Sequence, residues 1–339
     1  MKKYLLITFT LILSSCSQNE NSNEINIYSQ RHYNVDELQY ANFEKKTGIK
    51  VNVVKANADE LIQRMKNEGE NSPADLFITV DVGKLWQASE MGLLQKFEDR
   101  DITKNISPEL LDKNGYWIPV TYRSRIIVYS KERVSKDELS TYEDLANKKW
   151  KGRICIRSSS NIYNQSLLAS MIAHNGENEA ESWAKKVVNN FSRKPKGNDR
   201  SQMTAVVLNE CDITLANTYY LGKWITSDKN TEKEYSDKIA VFFPNQKGRG
   251  AHINISGAAV IKTSKNTSSA IKFIEFLAGD KAQKLYSQTN HEYPIRDNIQ
   301  VSKIVESWGY PFKKDKLSLN KLGMFNKKAV IIFDKVGWK

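Results

Sequence analysis

Short apolar runs with a period of two alternate along this chain with longer segments whose apolar positions recur every three to four residues. That is the pattern of strands alternating with helices. Ile25-Asn26-Ile27-Tyr28-Ser29 alternates as a strand, and a helix from about Val35 to Lys46 follows, ended by Gly48. Ile49 to Val54 is a second strand, Asp59 to Lys66 a helix with Leu61, Ile62 and Met65 on one face, Ala74 to Ile78 a third strand and Val82 to Ser89 a further helix. After Tyr116-Trp117-Ile118-Pro119 come Arg123-Ser124-Arg125 and a strand from Ile126 to Tyr129. A short helix at Thr141 to Ala146, a strand at Gly152 to Ile156 and a helix from about Asn164 to Ala173 follow. Ala180, Trp183, Ala184, Val187, Val188 and Phe191 form a core-facing helical stripe. Ser201 to Asn209 reads as helix, Ile213-Thr214-Leu215-Ala216 and Ile239 to Phe243 as strands, and Gly257 to Ile261 as a buried strand. Helices at Ser268 to Leu277 and Lys281 to Ser287 close the pattern. The alternation predicts an α/β protein, a parallel sheet covered by helices, with loops at the strand ends open to ligands.

The 339 residues suggest about two domains, and 40% hydrophobic with 27% charged residues is an ordinary globular mixture. The formal charge of +12 is spread along the chain. No recognition-helix or aromatic-platform pattern accompanies it, so nucleic acid is not expected as a partner. Met1-Lys2-Lys3, the apolar stretch Tyr4 to Leu13 and Leu13-Ser14-Ser15-Cys16 have the order of a lipoprotein signal, with Cys16 the lipid-modified residue and Ser17 to Asn23 a polar tether. The alternative is a plain secretory signal cut elsewhere. No other segment reaches the roughly 18 apolar residues of a membrane-spanning helix. In an exported chain the remaining pair, Cys155 and Cys211, reads as a disulfide, with two buried thiols as the alternative.

Candidate chemistry gathers at strand exits. The strand Ile213 to Ala216 runs into Asn217-Thr218-Tyr219-Tyr220-Leu221-Gly222, a helix start, where the turning backbone lets two consecutive phenols converge. His32 and Tyr33 follow the first strand, and Tyr163 follows Ser158-Ser159-Ser160-Asn161-Ile162. A phenol ionises near pH 10 alone, and a bound metal ion reverses that logic. Four phenols and an imidazole make a hard, anionic donor set that suits ferric iron better than thiophilic metals, magnesium or calcium. With fifteen tyrosines in the chain, ordinary half-buried loop tyrosines remain the alternative at this point. His174, His252 and His291 have no evident partners and read as structural or surface histidines.

The stretches Tyr28-Ser29-Gln30-Arg31-His32-Tyr33, Arg123-Ser124-Arg125, Ser159-Ser160-Asn161-Ile162-Tyr163-Asn164-Gln165-Ser166 and Ala216-Asn217-Thr218-Tyr219-Tyr220 resemble the ferric-ion-binding proteins of bacterial ABC iron importers. The likeness is greatest to the tyrosine-rich subgroup of cyanobacterial iron uptake. The resemblance implies a two-lobe type II periplasmic binding protein, each lobe a sheet flanked by helices, hinged around a cleft that closes on iron. With the leader read from its own residues as a signal peptide over 1–15 and a tether over 16–24, the resemblance implies one lobe from 25–121 and 246–296, and a second from 122–245 and 297–339. His32 and Tyr33 would be the first lobe's ligands, and Tyr163, Tyr219 and Tyr220 the second's. Arg123 resembles a cleft arginine that offsets phenolate charge, a structural ion pair being its alternative. Many relatives carry arginine where this chain has Lys223. The implied cargo is iron as Fe3+, the partner an ABC permease, the state a monomer, and the location the periplasm or cell surface; the lipid anchor expected at Cys16 departs from the freely soluble relatives. An anion receptor on the same fold would instead use Ser158 to Ser160 and a helix N-terminus. An enzyme is disfavoured, since no Gly-x-Ser-x-Gly, His-Glu-x-x-His or paired strand-end carboxylates stand where chemistry needs them.

Overall fold

The computed structural model describes residues 23–97 and 100–339, so Cys16, the leader and most of the tether lie outside the described residues. The first third follows the alternation of its sequence: β1 (Glu24–Ser29), α1 (Asn34–Thr47), β2 (Lys50–Lys55), α2 (Ala58–Glu68), β3 (Leu76–Thr79) and α3 (Val82–Glu90). β1 points Ile25 and Ile27 into the core. Gly48 ends α1 because it takes a left-handed φ of 73° and returns its N–H to the Glu44 carbonyl. Asn57 starts α2 by accepting the Glu60 N–H on its side chain. Then come the short α4 (Arg100–Thr103) and β4 (Ile118–Ser130), buried along all 13 residues.

Beyond β4 the order is β5 (Ile154–Cys155), α5 (Ile162–Asn175), α6 (Glu177–Val188), α7 (Asp199–Val207), β6 (Ile213–Asn217), α8 (Tyr219–Ile225), α9 (Asn230–Lys238) and β7 (Ile239–Phe242). The chain finishes with β8 (Ile253–Val260), α10 (Thr267–Ala278), α11 (Asp280–Asn290), α12 (Lys303–Ser307), α13 (Asn320–Met324) and α14 (Asn326–Val336). The stripe from Ala180 does not stay helical to Phe191, because Asn189 caps α6 and the Asn190 side chain donates to the Leu145 and Asn147 carbonyls. Phe191 instead bridges Ile154 and packs edge-on against Trp338.

The sheet corrects the expectation of parallel strands. β1 runs parallel to β2 and β3, and β5 parallel to β6, but β8 lies antiparallel to both β3 and β4, and β4 antiparallel to β6 and β7. The strand order is β2-β1-β3-β8-β4-β6-β5, with β7 also on β4. The first part of β4, Ile118 to Ser124, pairs with β8, and the rest, Arg125 to Ser130, with β6 and β7. β4, shared in this way, runs through both halves of the molecule, whereas β8 stays between β3 and the first part of β4. The expected strand Ile126 to Tyr129 is the far end of β4; its earlier residues hid behind polar letters, Arg123 and Arg125, that are buried in ion pairs.

Two hydrophobic cores result. One collects β1, β3, β8, α1, α2, α3, α7, α8, α10 and one face of β4; the other collects α5, α6, α14 and Ile127 and Tyr129 of β4. The C-terminal segment touches both, Leu319 and Leu322 entering the first and Ile332, Phe333 and Trp338 the second. Cys155 and Cys211 are joined as a disulfide with Cα atoms 5.7 Å apart, tying β5 to the approach of β6. Among the described residues no helix is long and apolar enough to cross a membrane.

Candidate metal centre

Tyr33 sits where β1 gives way to α1, and a buried charge network fixes the turn. Asp36 accepts the Tyr33 N–H at 3.1 Å and the Arg31 Nε–H at 2.8 Å. Arg31 also grips Glu292 with both terminal nitrogens, at 3.1 and 2.9 Å, and its guanidinium lies 5.0 Å from the centre of the Tyr33 ring. Burial pushes the Glu292 carboxyl up, but the charge and hydrogen bonds of Arg31 win and hold it at about 2. The pair is therefore ionised under all ordinary conditions.

Tyr219 and Tyr220 open α8 directly after β6. Asn217, the last residue of β6, donates from Nδ2 to the Tyr219 oxygen at 3.2 Å, and its own N–H is held by Asp199. Tyr163 lies in the first turn of α5, whose start Asn161 caps by accepting the Tyr163 N–H at 3.1 Å. The three phenols meet: Tyr33 donates to the Tyr219 oxygen at 3.1 Å, and Tyr219 donates to the Tyr163 oxygen at 3.3 Å. The Tyr220 ring packs on Tyr219 with centroids 4.4 Å apart. All four belong to one cluster beside a cleft of about 890 Å³ lined by His32, Tyr33, Tyr163, Tyr220, Arg157 and Lys223.

Burial, reinforced by the neighbouring phenols, raises Tyr33, Tyr219 and Tyr220 well above the ordinary phenol range. Held protonated in this way, Tyr33 donates to Tyr219 and Tyr219 to Tyr163. Positive charge waits beside them. The guanidiniums of Arg123, Arg157 and Arg125 lie 5.2, 5.6 and 5.8 Å from the centre of the Tyr163 ring. Asp81 takes Arg123, and Asp199 takes both Arg125 and Arg157. Three cations against two anions leave one positive charge uncompensated behind Tyr163. Lys223 adds a further cation 3.9 Å from the Tyr33 ring centre and 5.4 Å from that of Tyr219. Burial lowers its ammonium to about 8.

The strand-exit reading thus brings Tyr33, Tyr163, Tyr219 and Tyr220 together, and leaves His32 at the margin. His32 lines the same cleft but is exposed, its Nδ1 3.3 Å from the Gln30 carbonyl and its ring 4.9 Å from that of Tyr33. Arg123 combines both of its readings, pairing with Asp81 and lying over Tyr163. The other histidines are held elsewhere: His174 by Asp315 at 2.7 Å, and His291 by Ser302 at 3.0 Å and Thr226 at 3.2 Å. His252 is buried close to Arg123 and Arg125, and burial followed by those charges lowers it to about 3. Sequence reasoning missed Asn217, Arg157, Asp199 and Asp81. For Asn217, Arg157 and Asp81 the one signal was position at or just past a strand end; Asp199, at the start of α7, carried none.

Family comparison agrees with this geometry. The family described as bacterial extracellular solute-binding protein matches residues 39–311. Iron uptake protein A1 of Synechocystis sp. is 46% identical over 345 positions, spanning 99% of this chain and 96% of that protein. A Trichodesmium protein solved with iron and citrate ligands is 47% identical, with a TM-score of 0.89 over 93% of this chain and 100% of its own. The ferric binding protein from Campylobacter jejuni is 43% identical at the same TM-score and coverage. The fold is that of the type II periplasmic binding proteins. A family match running from within α1 to beyond α12, joined to relatives alike over nearly their whole length, places the chain among the bacterial extracellular solute-binding proteins, the family to which it belongs.

Proposed function

We propose that this chain is an extracytoplasmic receptor that captures ferric iron in its cleft and delivers it to an ABC permease. The ligands in this reading are Tyr33, Tyr163, Tyr219 and Tyr220 with His32, and Arg123 supplies charge from behind. The observation that carries it is the chain of phenol oxygens from Tyr33 through Tyr219 to Tyr163, drawn from three separate strand exits. Relatives named for iron uptake and ferric binding support the same cargo. Four phenolates around Fe3+ leave one net negative charge, and the uncompensated guanidinium beside Tyr163 offsets it. The protein is a binding protein and not an enzyme. Its lobes, in this reading, are 25–121 with 246–296 and 122–245 with 297–339, and it acts as a monomer in the periplasm.

The test is a titration of metal-free protein with ferric iron supplied as a weak chelate. A visible phenolate-to-iron band should grow to one equivalent, and Tyr219→Phe with Tyr220→Phe should abolish it. A parent protein that stays colourless sinks the reading. An anion receptor is the second possibility, favoured by Arg157, Arg200, Lys223 and Lys55 along the same cleft. It requires phosphate or sulfate to bind without iron and without colour. The lipid anchor at Cys16 is tested separately: Cys16→Ser should move the chain from the membrane to the soluble fraction, and unchanged fractionation refutes it.

A further inference from the structure

Asp81 has no place in the phenol cluster, yet its buried carboxylate collects groups from four elements. It caps α3, Oδ1 accepting the Gly83 N–H at 2.8 Å. Asn254 Nδ2 donates to Oδ2 at 2.8 Å, and Arg123 Nη2 stands 3.3 Å from the same oxygen. Arg123 and Asn254 face each other across the β4–β8 ladder. Ser166 on α5 completes the set, its hydroxyl 3.0 and 2.9 Å from the two carboxylate oxygens. None of the four side chains is more than 3% exposed.

The Ser166 contact differs from the others in what it joins. α3 buries Val82 and Leu85 in one hydrophobic core, whereas α5 buries Leu167, Leu168 and Met171 in the other. The Asp81–Ser166 pair therefore bridges the two cores. Tyr163 lies one helical turn before Ser166, at the i, i+3 spacing that puts both on one side of α5. Arg123, which Asp81 also holds, lies over the Tyr163 ring. Asp81 thus touches both of the groups that aim Tyr163.

We propose that Asp81 is a positioning residue for the iron site: it ties α5 to α3 and to the β4–β8 pair, and so sets where Tyr163 stands relative to Tyr33. The proposal rests on the iron-receptor reading above. Swinging α5 away from α3 about β4 and β8 breaks the Ser166 bonds, while Gly83, Arg123 and Asn254 stay with the carboxylate. The penalty falls on opening. A hydroxyl donating to a buried carboxylate is a charge-assisted bond, so its loss should speed iron release roughly tenfold.

Ser166→Ala is the first variant, because Asp81 keeps three partners and no charge is stranded. Its ferric band should match the parent's in amplitude, and its iron should pass to an excess of chelator roughly tenfold faster. Metal-free Ser166→Ala should also scatter X-rays as a more open particle. Asp81→Asn should release iron at least as fast, and adding Ser166→Ala to it should change the rate by less than about twofold, since the partner is already gone. A merely structural role predicts the opposite, effects that multiply and follow the melting temperature. Parent-like release and scattering in Ser166→Ala overturns the proposal, as do multiplying effects in the double variant. Should Asp81→Asn fail to fold, the Ser166→Ala release rate and scattering decide alone. A parent with no ferric band would refute the functional reading, and metal-free scattering would still decide the tie.

Discussion

At the scale of single residues, the proposed iron site is a set of buried, protonated phenols. Burial holds Tyr33, Tyr219 and Tyr220 protonated far above neutral pH, so a metal ion must displace protons to bind them. Iron capture should release about four protons, one for each tyrosine that becomes a ligand. Affinity should accordingly rise with pH and fall on acidification. A pH-stat titration with a ferric chelate of known proton balance measures this, and a release of about two would remove two tyrosines from the ligand set. His32 contributes differently. Exposed and outside the phenol chain, it should weaken binding and shift the band when changed to Ala, leaving a coloured complex that absorbance titration would detect.

At the scale of elements, α8 carries two of the tyrosines, and its seating depends on one glycine. A Cβ at Gly222 would come within 2.6 Å of His291 Cγ, and the His291 ring cannot step aside freely because Ser302 and Thr226 hold both nitrogens. Gly222→Ala should therefore lift α8 from α11, at a cost of about 1–3 kcal/mol typical of overpacking. The expected result is a lower denaturation midpoint together with weakened ferric binding. Full iron affinity in a destabilised Gly222→Ala protein would show that α8 sits independently of this contact. The Cys155–Cys211 bridge acts on the neighbouring pair, holding the approach to β6 against β5. β5 leads toward α5, which carries Tyr163, and β6 runs into α8, which carries Tyr219 and Tyr220.

At the scale of the whole molecule, the Arg31–Glu292 pair joins the loop after β1 to the segment after α11, and Thr121 on β4 donates to the same carboxylate at 2.8 Å. Glu292 has a folded value of about 2 against an ordinary 4.5. Because the folded value is the lower one, this contribution is complete above about pH 4.5 and is lost as pH falls toward 2. It amounts to about 3 kcal/mol of stability. Denaturant titrations of Glu292→Gln should show a lower midpoint at pH 6 and a flatter loss of stability between pH 4.5 and 2 than the parent. An unchanged midpoint at pH 6 would mean that Arg31 is satisfied by Asp36 alone.

Local pattern was enough for most elements and for the tyrosines. The period of apolar residues reports which side of a segment is buried, so β1, α1, β2, α2 and α3 were legible, as was the turn from β6 into α8. Strand exits in an α/β chain face ligands, so Tyr33, Tyr163, Tyr219 and Tyr220 were candidates by position together with His32, with ordinary loop tyrosines still open as the alternative. The quoted stretches, read as a family resemblance, supplied the expected iron and the lobe from which each tyrosine would reach it. Strand direction was a different matter. Parallel or antiparallel pairing is set by which distant segments lie side by side, and the sheet is mixed because β8 lies antiparallel between β3 and β4 and β4 lies antiparallel to β6 and β7. The same holds for Arg123 and Arg125, polar in sequence yet buried in β4, because their counter-charges Asp81 and Asp199 come from elsewhere in the chain. Which phenol touches which, which histidine stays exposed and which carboxylate spans the two cores are facts of long-range packing, and only the tertiary structure decided them.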